Sequence, residues 1–252
     1  MKKGYLMLLS SMAMLFMACG GNGTKAGDAA EVKNESVINI QKTFGNNVNV
    51  SVSLPIIDCV NADIAKKIEG TVVEELFSDY TEGKTFQEVA DAYVAYAGTE
   101  YEDWLKEESI EAEYNIKATM EVGHKGYICL VVELYENNGA AHPYVVKAAY
   151  TFDPATGERL VPDDVFKSEF DDYVDISVVV AEAFVKHYNV ADSYAIRDMG
   201  YFDECEFFYV PSNFCVGKEK TTLVYPLNEI SSYPRGYEVI EIPTENFKNL
   251  LK

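Results

Sequence analysis

YICLVVELYENNGAAHPYVVKAAYTFDPATGERLVPDDVF, residues Tyr127–Phe166, decides the fold. From Tyr127 to Tyr135 the even positions are Ile128, Leu130, Val132 and Leu134, against Tyr127, Glu133 and Tyr135 among the odd. From Tyr144 to Phe152 the even set is Tyr144, Val146, Ala148, Tyr150 and Phe152, with Lys147 and Thr151 opposite. A period of two puts each set on one face, so both runs read as half-buried strands, with Tyr144 and Tyr150 in the core. Between them, Glu136–Pro143 is loop: Gly139 admits positive φ and Pro143 holds His142 extended. Asp153-Pro154-Ala155-Thr156-Gly157 reads as a turn with Asp153 capping it, and Val161–Phe166 begins a helix with proline in its first turn.

Outward from this centre the same periods recur. Val48–Leu54 alternates as a strand and stops at Pro55. Asn61 or Asp63 caps a helix in which Ile64, Ile68, Val72 and Leu76 repeat every four residues. Thr85-Phe86-Gln87-Glu88 is a capping box, followed by the stripe Phe86, Val89, Ala90, Tyr93 and Val94, with Gly98 as its stop. Tyr114–Val122 alternates again. Ser168–Tyr188 is helical, with Phe170, Val174, Val178, Ala181 and Val185 as its apolar face; Ala191–Phe208 shows no clear period. Short strands at Phe214–Val216, Thr221–Tyr225 and Tyr237–Ile242 precede a terminal helix. The class is α+β: antiparallel sheets with helices packed on one side, in two sequential subdomains, 37–135 and 136–252.

The start of the chain carries export signals. Lys2 and Lys3, an apolar run from Tyr5 to Met17 and a small residue, Ala18, make residues 1–18 a signal peptide. Cys19 behind Ala18 resembles the lipidated cysteine of a bacterial lipobox, with an ordinary secretory signal as the alternative. Residues 19–36, rich in Gly, Ala and Asn, read as a flexible tether. The expected location is the cell envelope, attached to membrane through the lipid alone. Gly20-Gly21-Asn22-Gly23 offers no acidic run, which favours an outer-membrane anchor facing the periplasm over the cell surface.

Formal charge is −20, from 21 basic and 41 acidic residues. Cleavage after Ala18 removes two lysines and no acid, leaving −22. Such a chain lacks the clustered cations that phosphate contact needs, so nucleic acid is excluded as a partner. It attracts cationic partners instead, because its summed field raises their encounter rate. Beyond Cys19 there are Cys59, Cys129, Cys205 and Cys215, for which three pairings exist. Cys205 and Cys215 flank Pro211-Ser212, which makes them the candidate disulfide by proximity, while Cys129, in a strand, equally suits a buried, inert thiol. No CxxC occurs and the three histidines are scattered, so no metal and no cofactor is expected.

Three passages resemble the paired extracytoplasmic domains of RsiV-type, lysozyme-responsive anti-sigma factors, which also flank some peptidoglycan deacetylases. They are Asn47–Phe77; Gly139–Pro143 with Tyr150–Asp153, Thr156–Leu160 and Asp163–Phe166; and Asn228-Glu229-Ile230 with Tyr233 and Gly236. Neither a cytoplasmic segment ahead of a span nor a deacetylase domain accompanies them here. The resemblance therefore implies recognition: a non-catalytic, lipid-anchored envelope protein whose partner is a lysozyme-like cationic protein or cell-wall glycan. Two alternatives stand beside it. One is a glycan hydrolase using paired carboxylates among Asp163, Asp164, Asp171 and Asp172, though such acids equally suit a helix start. The other is a structural component of envelope assembly. Candidate binding residues are His142, a loop imidazole before Pro143 able to contact a ligand, and Tyr233, Arg235 and Tyr237, a loop cation flanked by aromatics able to anchor a partner.

Overall fold

The computed structural model describes residues 37–58 and 61–252. The residues read as a signal peptide and as a tether with Cys19, and Cys59, lie outside the described residues. β1 (Val37–Phe44) and β2 (Val48–Pro55) form a hairpin, and β2 alternates buried valines with Asn49, Ser51 and Ser53. α1 (Ala62–Leu76) starts at Asn61, whose side chain accepts from Asp63 N at 2.9 Å. α2 (Phe86–Glu100) starts with the full capping box of Thr85 and Glu88. Gly98 does not end it. A Cβ there would sit 2.9 Å from the Phe44 ring, so glycine allows close packing, and the helix continues through a π-turn, Tyr101–Leu105, into α3 (Lys106–Glu108). β3 (Ala112–Val122), β4 (Ile128–Asn137) and β5 (Tyr144–Phe152) complete a five-stranded sheet in the order β1-β2-β3-β4-β5.

One pairing in this sheet differs from the antiparallel expectation: β2 and β3 run parallel. The chain returns through α1, α2 and α3, and a helical crossover of this length brings a strand back in the same direction. The remaining pairs are antiparallel, with Glu133 opposite Lys147 on β4 and β5 and joined to it at 3.4 Å.

After β5 come α4 (Pro162–Val165), α5 (Phe170–Tyr188) and α6 (Ser193–Asp198), then β6 (Phe214–Val216), β7 (Lys220–Tyr225) and β8 (Glu238–Pro243) as an antiparallel three-stranded sheet. Alternation then stacks the layers. Ile128, Leu130, Val132, Leu134, Tyr150 and Phe152 face α1 and α2 across the first core. Their neighbours Cys129, Val131 and Ala149 face Cys215, Val224 and Val239 of the second sheet. The far side of that sheet packs Leu223, Tyr225 and Ile240 against Ile176, Val180 and Phe184 of α5. The order is helices, sheet, sheet, helix. β5 belongs with the first sheet and its core, which run through Phe152.

The α5 stripe is also corrected. Phe170 is 70% exposed and Val178 is 50% exposed, whereas Ile176, Val180 and Phe184 are buried. Two apolar rows run along this helix, and the one that carries Phe184 wins. Its ring meets Phe202, Phe208, Tyr201 and Tyr225 at centroid distances of 5.1 to 6.2 Å.

Candidate functional site

α6 is capped by Asp192, which accepts from Ala195 N at 3.0 Å, and it carries Arg197 in its last turn. The Arg197 guanidinium gathers the chain that follows, donating to Phe202 O at 2.6 Å, Cys205 O at 2.7 Å and Glu206 O at 3.2 Å. Phe202 N donates to Ile230 O at 2.8 Å, tying this loop to the loop after β7. Both loops use left-handed backbone, at Gly200, Phe202, Asn228 and Gly236. Asparagine tolerates that conformation well; a phenylalanine held there is uncommon, and the aromatic cluster around Phe202 fixes it.

Between the loops lies an open cleft of about 380 Å³, lined among others by Asp203, Glu204, Glu229 and Arg235. Asp203 and Glu204 are exposed, and among the described residues no ion pair engages them or Glu229. Glu229 accepts from the Tyr209 hydroxyl at 3.0 Å; partial burial nonetheless raises its pKa. Arg235 lies 4.7 Å over the Tyr201 ring and donates to Met199 O. Arg235 stays exposed and keeps its charge, so the cleft holds one cation beside three carboxylates. Chemically, the cleft offers several carboxylates to an incoming cation.

Of the candidate residues only Arg235 lines this cleft; Tyr233 neighbours its Ser232 wall in sequence, and Tyr237 packs against the cluster between the sheets. Tyr233 is 64% exposed. Tyr237 is half-buried, and its phenol is raised in pKa by burial and then by Tyr144 and Tyr233 nearby. Tyr144 is therefore not core: it is 55% exposed and lies in the vicinity of Tyr237, as Tyr233 does, without ring-to-ring packing among the three. His142, two residues before Tyr144, is exposed on the β4–β5 loop. Tyr233, Arg235 and Tyr237 thus stay close along one stretch of chain, with His142 on the loop leading to Tyr144. Asp203 and Glu204 were hidden in the stretch without a period; Glu229 sat inside the quoted Asn228–Ile230 motif.

Cys205 and Cys215, the candidate bridge, sit in different surroundings. Both thiols are free; Cys205 lines the cleft, held there by Arg197, while alternation along β6 aims Cys215 between the sheets beside Cys129. The acids considered for hydrolysis serve locally: Asp164 accepts from Val161 N at 2.9 Å at the start of α4, and Asp163 accepts from the Tyr173 hydroxyl at 2.9 Å. Asp153 caps its turn, accepting from Ala155 N at 2.6 Å.

Sequence reasoning missed two buried carboxylates as well, each only 8% exposed. Glu238 accepts from the hydroxyls of Tyr188 and Tyr201, both at 2.6 Å. Glu136 accepts from the Tyr80 hydroxyl at 2.8 Å, and burial raises its pKa despite that bond. The Tyr93 hydroxyl faces Glu136 without reaching hydrogen-bonding geometry, and the Tyr114 hydroxyl is likewise buried without a partner.

No family model matches the chain, and no curated protein matches it. Solved structures do. A DUF3298-family protein from Bacteroides fragilis aligns at TM-score 0.61 and 18% identity, over 86% of this chain and 92% of its own. A DUF3298-family protein from Pseudomonas aeruginosa aligns at TM-score 0.52 and 14% identity, over 86% of this chain and 93% of its own. The stacked pair of sheets with their outer helices is, in its fold, similar to that of these DUF3298-family structures.

Proposed function

We propose that this chain is a lipid-anchored, non-catalytic binding protein of the cell envelope, and that its partner is a basic protein of the lysozyme type. The observation that carries the reading is the cleft of Asp203, Glu204 and Glu229, carboxylates without ion-pair partners, with Glu229 on the same loop as the exposed Tyr233. A lysine or arginine entering the cleft gains from several acids at once, while the exposed Tyr233 supplies rigid contact area and a cation–π face. The formal charge of −20 draws such a partner from a distance. The resemblance of the Asn228–Gly236 loop to RsiV-type domains agrees with this.

Titration calorimetry of the mature protein with a basic lysozyme tests it. Binding is expected at low salt and weakens as salt rises, because rim charges act through a screened field. Asp203→Asn, Glu204→Gln and Glu229→Gln together are expected to weaken it at least about tenfold, or about 1.4 kcal/mol. No heat at low salt, or an unchanged affinity in the triple variant, removes the proposal. Retention on purified cell-wall glycan with no affinity for lysozyme moves the partner to the glycan.

A further inference from the structure

The strongest unassigned chemistry lies between the two sheets. Cys129 on β4 and Cys215 on β6 are 1% and 2% exposed, and their sulfurs lie within 4.8 Å of each other and of a Glu121 carboxylate oxygen. Three features hold them in place. Thr151 pairs with Cys129 across β4 and β5, and its hydroxyl donates to Phe214 O at 3.0 Å and accepts from Val216 N at 3.3 Å, bracketing Cys215. Gly123 lets the strand end approach: a Cβ there would lie 2.1 Å from Val216 O and 2.9 Å from Cys129 Sγ. Gly217 does the same beside Glu121, where a Cβ would meet Oε1 at 2.2 Å.

We infer that Cys129 and Cys215 form a disulfide that fastens the first sheet to the second. The surroundings decide against a metal. Ala149, Val224, Val131 and Val239 make the seam apolar. A disulfide is neutral and costs little there, whereas two thiolates and a carboxylate around a divalent cation leave net charge in an apolar layer. Cys129 is also held well above the usual thiol pKa by its hydrogen bond to Cys215 and by burial, which opposes the thiolate that a metal needs.

Oxidation belongs to folding, before the seam closes. The thiolate of one cysteine attacks an incoming disulfide, either glutathione disulfide or a protein disulfide oxidant, and expels one of its sulfurs. The other cysteine then attacks the mixed disulfide and expels the second. The pair loses two electrons and two protons; the incoming disulfide gains both and leaves as two thiols. Because the bond would close the chain from 129 to 215, it removes much freedom from the unfolded state.

The test uses the mature protein refolded in a glutathione redox buffer, then denatured with a maleimide, with and without prior reduction. Peptide mapping is expected to recover the Cys129 peptide joined to the Cys215 peptide, and the thermal midpoint is expected to fall several degrees when a dithiol reductant is added. The Cys129→Ala, Cys215→Ala double variant is expected to show no such response. If that variant does not fold, the mapping and the midpoint of the native sequence decide alone. Maleimide on both residues without prior reduction, a bond from either to a different cysteine, or one equivalent of zinc lost in Glu121→Gln each overturns the inference.

Discussion

Tyr80→Phe isolates the buried carboxylate of Glu136. The substitution removes one O–H donor, at 2.8 Å from a group only 8% exposed, and leaves the ring in place between Tyr93 and Tyr96. A hydrogen bond to a charged group contributes about 1.5–3 kcal/mol, an upper figure here because the Tyr93 hydroxyl also faces Glu136 and can close on it when the Tyr80 donor is gone. In a domain of this size the loss lowers the melting midpoint by about 3–12 °C. The pH dependence is the diagnostic part. Burial raises the Glu136 pKa and the Tyr80 bond lowers it, so the variant carries an even higher value. The penalty should therefore be full where Glu136 is ionised, and shrink as falling pH protonates it. In a Glu136→Gln background the same change should cost only about 0.5–1.5 kcal/mol, the worth of a neutral bond. Thermal denaturation across pH, on the four proteins of this cycle, gives the answer. A penalty independent of pH and of the Gln background would show that packing, not the buried charge, accounts for the loss.

Three further outcomes follow from other parts of the molecule. Glu69, Glu136 and Glu229 all have pKa values raised by burial, so the folded state binds more protons than the unfolded chain above the ordinary glutamate range. Stability should accordingly increase as pH falls from neutral toward the ordinary glutamate range, about 4.3, the benefit being lost as pH rises through the folded values; a midpoint that falls steadily over that descent would contradict this. Gly123→Ala should destabilise by about 1–3 kcal/mol or more in urea titration, since its Cβ has only 2.1 Å to Val216 O. On α5, Val178→Lys should change stability by less than about 0.5 kcal/mol, whereas Phe184→Ala should cost about 3–5 kcal/mol, measured in the same denaturant series.

Much of the fold was legible because alternation survives without context. β2, β3, β4 and β5 each put one residue set into the first core, as their sequences indicate. β1 was missed because it is an edge strand whose Ile38, Ile40 and Phe44 are only half-buried, leaving little contrast to read. The parallel β2–β3 pairing depends on where two helices return the chain, which no local pattern encodes. On α5, Phe170–Val174–Val178 and Ile176–Val180–Phe184 are both apolar rows at helical spacing, and only the second sheet selects between them. Tyr144 follows the core alternation of β5 but lies where the strand runs past its cover. For the site, Tyr233, Arg235 and Tyr237 stood out as a cation flanked by aromatics near a proline turn. The acids opposite them lie in a loop shaped by Arg197, a contact that composition does not announce.

The most direct test of partner recognition is an amide NMR titration of the mature protein with a basic lysozyme at low salt. Shifts concentrated in Gly200–Cys205 and Asn228–Gly236 are predicted, fading as salt is added. Shifts confined to the open face of the five-stranded sheet, or none at all, would contradict the account.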